Sequence, residues 1–198
     1  LERIHTRRKA AFRAGLFEMA SYDLAAWDAG RRIMRTWQPD VIHAHFAVPA
    51  GAAAFALSKL TGIPYVLTAH LGDVPGAVPE KTDRWFKWIY PLTPPIWRGA
   101  GKVVAVSEFT RQMAMRHYNV PIEGIPNGVD LAGLPARQNR QPGSPVRIVF
   151  AGRFMEQKNP AHLIEALSRL KQLDWRCAML GDGPLLESIR ASVAGSDL

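Results

Sequence analysis

The sequence predicts an α/β protein built from two doubly wound, Rossmann-like units. Three observations carry this reading. Strand-like and helix-period segments alternate along the 198 residues, the pattern of parallel sheets with crossover helices. Residues 134–145, "LPARQNRQPGSP", have no periodicity and concentrate Pro, Gly and polar side chains, as a linker does. A fresh strand–helix–strand unit then opens at residue 146. The expected organisation is a first unit over 1–133, a linker over 134–145, and the start of a second unit over 146–198 that holds only two strands. The first unit lacks an opening glycine-rich strand and turn. The chain starts without methionine and stops in mid-pattern, so it reads as the middle of a larger protein.

Each element has its own signal. Residues 7–37 place Leu24, Trp27, Met34 and Trp37 at helical spacing until Pro39 stops the helix. "DVIHAHF" (40–46) follows as a strand, and residues 49–62 form a small-residue helix closed by Gly62. "PYVLTAH" (64–70) is the next strand, followed by a Gly- and Pro-rich loop over 72–82. The aromatic run 84–92 reads as helix, 102–107 as strand, and 108–118 as helix with Ser107 its N-cap and Glu108 its first-turn acid. Residues 122–130, "IEGIPNGVD", read as a short strand and a turn, with Gly128 of the Asn127–Gly128 dipeptide at positive φ. In the second unit, strands 146–151 and 175–180 flank a helix over 160–173, and a new helix starts at Pro184.

Composition bounds the function. Hydrophobic residues make up 47% and charged residues 21%, the balance of a globular protein able to bury a core. The count of 25 Lys+Arg against 17 Asp+Glu gives a net charge of +8, which calls for an anionic partner: nucleic acid, lipid headgroup or phosphorylated small molecule. Nucleic acid is disfavoured because no recognition module is present. The single cysteine, Cys177, excludes an internal disulfide framework, fits a reducing compartment, and reads as a buried thiol within "WRCAML". No apolar run approaches the ~20 residues of a membrane span, and Arg7, Arg8, Lys9 and Arg13 break any signal-peptide core. A cytoplasmic location follows as an expectation. The absence of a G-x-G-x-x-G with a downstream acid disfavours a nicotinamide dehydrogenase.

One stretch stands out chemically, "VFAGRFMEQKNPAHLIEAL" (149–167). An apolar strand runs into Gly152 and Arg153, then a polar turn, Lys158, and a helix opened by Asn159 and Pro160. Arg153 and Lys158 are either two solvated cations or an anion clamp. The second reading gains from position: they sit at the carboxyl end of a strand, beside a helix N-terminus with Asn159 as N-cap and Pro160 at its first position. Gly152 permits close backbone approach.

Histidines form the second candidate. His43 and His45, two apart on a strand, share one face. With His70 they offer three nitrogen ligands for zinc, but no carboxylate or cysteine ligand stands out beside them. The plainer reading makes His43 a core residue and aims His45 toward a cleft. His70 ends a strand and precedes the "LGDVPGAVP" loop. Asp73 in that loop either touches an acceptor or is solvated. In "GDGP" (181–184), Gly181 and Gly183 either line a nucleotide or serve as scaffold. Asp-x-Asp, which would hold a divalent ion on a diphosphate, does not occur in the chain.

Taken in order, "DVIHAHF", "VLTAH", "VVAVSEFTRQ", "IPNGVD", "FAGRFMEQKNP", "LIEALSRL" and "LGDGP" resemble the GT-B glycosyltransferases. More narrowly, they are similar to the retaining, nucleotide-sugar-dependent enzymes of family 4. The resemblance runs from about Asp40 to about Arg190. It implies an acceptor-binding amino-terminal domain, a donor-binding carboxy-terminal domain, and transfer of a sugar from a nucleotide-sugar to a glycan, lipid-linked or small-molecule acceptor. It implies that Gly152, Arg153 and Lys158 bind the donor diphosphate, that Arg153 and Lys158 stabilise it as it leaves, and that His70 lies near the reacting centre. His45, Asp73, Asn127, Gly128, Gly181 and Gly183 are the expected cleft residues. No cofactor and no metal are expected, since the two cations would replace the ion. The same scaffold also serves phosphorylases and nucleotide-sugar epimerases, and a non-catalytic sugar-nucleotide or lipid-binding module is the further alternative. A cluster of Arg7, Arg8, Lys9, Arg13, Arg31, Arg32 and Arg35, with Phe12, Leu16, Phe17 and Trp27 nearby, reads either as a surface for anionic membrane at its inner face or as a solvated helix face.

Overall fold

The computed structural model describes residues 3–4, 15–77, 86–135, 141 and 143–196. The chain divides into two compact units, Leu1–Val129 and Asp130–Leu198. Both are α/β with parallel strands.

The first unit is built on a four-stranded parallel sheet: β1 (Ile42–His45), β2 (Tyr65–Ala69), β3 (Lys102–Ala105) and β4 (Glu123–Gly124), in that spatial order. Leu67 pairs with Ala44 on one side and with Val103 on the other. Parallel central strands are buried on both faces and are therefore apolar throughout. β2 obeys this, with Tyr65, Leu67, Thr68 and Ala69 all buried. Helix α1 (Leu16–Thr36) packs against α2 (Ala52–Thr61) through Gly30, where a Cβ would stand 2.5 Å from Leu57 Cδ1. Gly62, at φ 75°, closes α2 in the left-handed conformation its sequence predicts. Among the described residues of the aromatic run, a short helical turn, Phe86–Ile89, is followed by α3 (Pro94–Arg98), because three prolines interrupt the stretch 90–95; Arg84 and Trp85 lie outside the described residues. Trp97 of α3 stacks on Tyr118 with ring centroids 4.0 Å apart, sealing one side of the core. Helix α4 (Glu108–Met115) starts where Ser107 Oγ accepts from Thr110 N–H at 3.1 Å, the predicted N-cap.

The second unit pairs β5 (Val146–Ala151) with β6 (Trp175–Leu180) over their full length. Its helices are α5 (Pro160–Ser168) and α6 (Leu186–Ala194). Ile148, Phe150, Cys177 and Met179 are half-buried, while Val149 and Leu180 on the opposite face are 64% and 59% exposed. A small core of Phe154, Ile164 and Ile189 closes the covered side. Cys177 is a free thiol, half-buried, and burial pushes its pKa up. That fits the expected packing role.

Candidate active site

In the second unit the candidate site begins at the carboxyl end of β5. Gly152 N–H donates to Leu180 O at 3.0 Å, the last rung of the β5–β6 ladder. The chain then turns through exposed Arg153 and buried Phe154 into a single 3₁₀ turn, Glu156–Lys158. Asn159 adopts φ 44° and ψ 58°, a left-handed conformation that asparagine tolerates, and caps α5 by accepting from His162 N–H at 3.3 Å. Pro160, at the first helical position, has no N–H to leave unpaired. The helix N-terminus therefore has the expected form.

Arg153 and Lys158 flank this terminus. Both are exposed, and neither side chain forms an ion pair or hydrogen bond among the described residues. Other surface cations do find carboxylates: Arg169 meets Glu165 at 2.5 Å and Arg190 meets Glu187 at 2.8 Å. The Lys158 side chain runs beside Gly152, where a Cβ would approach its Cγ to 3.9 Å. Two unneutralised cations and a helix N-terminus thus surround one short backbone segment, an arrangement that attracts a multiply charged anion.

The "GDGP" loop supports that segment from beneath. Phe154 N–H donates to Asp182 O at 2.9 Å, and Leu185 N–H donates to Phe154 O at 2.9 Å. Gly181 has φ 148° and Gly183 φ 154°. A Cβ on Gly181 would lie 1.9 Å from Gly152 O, and one on Gly183 would lie 2.4 Å from Phe154 O. Only glycine fits at either position. These two glycines lock the loop that follows β5 into place.

In the first unit the histidines gather at the carboxyl ends of β1 and β2. His45 Nδ1 and His70 Nε2 are 3.2 Å apart, and the His43 and His45 ring centroids are 4.5 Å apart. His43 departs from its expected core position: it is exposed on the edge strand β1, with Nε2 2.8 Å from Thr68 Oγ1. Burial lowers the His70 pKa from its ordinary value, and the neighbouring His45 lowers it further, which favours a neutral imidazole. Among the described residues no group of three or more His, Cys, Asp or Glu side chains is arranged to hold a metal ion.

Asp73, expected either to touch an acceptor or to be solvated, is not a solvated loop acid. It is 4% exposed, and its two carboxylate oxygens accept from Ala47 N–H and His70 N–H. Phe46 is a second feature without a sequence signal. It holds φ 74° and ψ 136°, and its ring stacks on His70 with centroids 4.2 Å apart. Asn127 and Gly128 are exposed in a segment without regular secondary structure after β4. Gly128 does not take the positive φ expected of it and meets nothing within 4 Å, because no tight turn forms there. Of the basic cluster, Arg31, Arg32 and Arg35 are exposed on α1, with Arg32 bonded to Asp28, while Leu16 and Phe17 are 50% and 66% exposed. Arg7, Arg8, Lys9, Phe12 and Arg13 lie outside the described residues.

Comparison with known proteins bears on both units. The family described as Glycosyltransferase Family 4 matches residues 1–132. TuaC of Bacillus subtilis, provisionally named a teichuronic acid biosynthesis glycosyltransferase, is 30% identical over 159 residues, covering 76% of this chain and 39% of its own length. A D-inositol 3-phosphate glycosyltransferase of Pseudarthrobacter chlorophenolicus is 32% identical over 165 residues, covering 72% of this chain and 38% of its own. The chain therefore spans about two fifths of these relatives. In structure, sucrose-phosphate synthase of Thermosynechococcus elongatus matches 96% of the chain and 50% of its own at a TM-score of 0.67 and 17% identity. That likeness concerns the fold. No described helix is long and apolar enough to cross a membrane.

Proposed function

Because the chain belongs to glycosyltransferase family 4, we propose that the protein of which it forms part transfers a sugar from a nucleotide-sugar donor to a glycan, lipid-linked or small-molecule acceptor, with retention of configuration. The observation that carries this is the pair of cations, Arg153 and Lys158, whose side chains have no partner among the described residues, beside the capped N-terminus of α5. A nucleotide-sugar presents a diphosphate, and its departure concentrates negative charge on the β-phosphate. Cations already in place stabilise that charge as it develops, without reorganising at the moment of reaction. Arg153 can fork two oxygens, Lys158 supplies a point charge, and the α5 N–H groups add their dipoles.

The neutral imidazole of His70 suits a different task. It exchanges hydrogen bonds with a sugar hydroxyl or the reacting oxygen, orienting the donor without attacking it. Gly152 gives the diphosphate close access to backbone, and Gly181 and Gly183 serve as scaffold. In this reading no metal and no cofactor take part, since the two side-chain cations neutralise the leaving group. The exposed apolar and basic residues of α1 suit contact with an anionic membrane, where a lipid-linked acceptor would lie.

The test is turnover by the full-length enzyme. Arg153→Ala and Lys158→Ala should each lower kcat by ~10²-fold or more, as loss of a transition-state charge stabiliser does. Activity should also survive EDTA. Near-normal kinetics in both variants would remove the diphosphate assignment.

A further inference from the structure

One buried carboxylate ties the ends of β1 and β2 together. Asp73 Oδ1 accepts from Ala47 N–H at 2.9 Å, just after β1, and Oδ2 accepts from His70 N–H at 2.8 Å, just after β2. Hydrogen bonds to an ionised acceptor are shorter and stronger than neutral ones, and here both oxygens are engaged away from water. Between Ala47 and β1 sits Phe46, at φ 74° and ψ 136°. A bulky residue rarely enters that region, and it stays there only when its surroundings over-determine it. Phe46 N–H donates to Thr68 O at 3.0 Å, Phe46 O accepts from Gly51 N–H at 2.9 Å, and Asp73 fixes the next peptide. The consequence of this conformation is that the Phe46 ring lies flat on His70, at an interplanar angle of 24°. His70 is thus held at its backbone by Asp73, on its ring face by Phe46, and at its Nε2 by His45.

We propose that Asp73 and Phe46 are positioning residues that act through His70. Asp73 sets where the His70 backbone leaves β2, and the strained Phe46 presents its ring as a platform that fixes the imidazole plane. This rests on the assignment of His70 to the donor sugar. It gives a physical reason for an otherwise costly backbone conformation. The strain at Phe46 serves the orientation of a neighbouring side chain.

The experiment is a double-mutant cycle in the full-length enzyme, read as kcat and KM for the donor. Asp73→Asn keeps one accepting oxygen and sets an NH₂ group against the other backbone N–H. Phe46→Gly removes the platform while relieving the strain, so it preserves or raises the thermal midpoint and covers the case in which Asp73→Asn does not fold. Each should lower kcat ~10-fold or more with little change in KM. In a His70→Ala background each should cost less than ~2-fold, since residues acting through one group are not additive. Equal losses in both backgrounds, or an unchanged kcat in Phe46→Gly, would overturn the positioning roles while leaving His70 its own. A near-normal kcat for His70→Ala itself would instead overturn the His70 assignment, and with it this inference.

Discussion

Two titrating side chains in the first unit pull stability in opposite directions with pH. Burial pushes Asp23 on α1 up to about 6, and its Oδ1 is buried without a hydrogen-bond partner among the described residues. His70 moves the other way, below its ordinary value of 6.5. Between the unfolded and folded pKa of Asp23, the native state binds more protons, so its contribution to stability falls as pH rises through that window. For His70 the unfolded state binds more protons between the lowered folded value and 6.5, so stability rises with pH there and the penalty disappears above 6.5. Asp23→Asn should therefore raise the thermal midpoint at pH 7 and leave it nearly unchanged near pH 3.5. His70→Gln should flatten the rise in stability between pH 5 and 7. Thermal melts at pH 7 and 3.5 check the first and denaturant unfolding between pH 5 and 7 the second, and a His70→Gln profile parallel to wild type would show that His70 titrates normally. At this scale the sequence is a partial guide. Strand parity places His43 and His45 on one face, and the run "GRFMEQKNP" reveals the two cations and their helix cap. Asp73 and Phe46 are not legible, because a carboxylate's burial and a phenylalanine's positive φ are set by backbone groups from a different strand.

Among the elements, the strands follow their expected bounds closely, and β5 and β6 match them residue for residue. Apolar runs flanked by Gly, Pro or charge have few alternative registers. Helix ends are less legible. The helix expected over 160–173 stops at Ser168. Its continuation becomes a turn that ends on Leu173, with Leu173 N–H donating to Leu170 O at 3.0 Å. The glycines show most clearly what sequence alone conceals. Gly128, in a turn-like dipeptide, is unconstrained, whereas Gly181 is held by the carbonyl of Gly152 from the neighbouring strand end. Gly128→Ala should then change stability by less than ~0.5 kcal/mol. Gly181→Ala must push the loop after β5 aside, and should cost about 2 kcal/mol or more as an overpacking substitution. Chemical denaturation of the two variants tests this, and equal midpoints would contradict the interlocked loops.

For the molecule as a whole, two compact α/β units each contribute a distinct chemical kit. The first gathers His43, His45 and His70 at the ends of β1 and β2; the second carries Arg153 and Lys158, whose side chains have no partner among the described residues, at the end of β5. The net charge of +8 fits anionic substrates without naming one. The nucleobase and the sugar are not legible here, since the roles proposed for His70, Arg153 and Lys158 do not distinguish one base or one sugar from another. The proposed anion site is legible, because it needs only cations, a helix N-terminus and a glycine at close spacing. The most direct measurement is therefore calorimetric titration of the full-length protein with uridine, guanosine and adenosine diphosphates and with the matching monophosphates, in the presence of EDTA. The wild type should bind one diphosphate at least ~10-fold more tightly than its monophosphate, and the Arg153→Ala/Lys158→Ala double variant should bind the two alike. An undiminished diphosphate preference in that variant, or a preference that disappears in EDTA, would contradict the clamp.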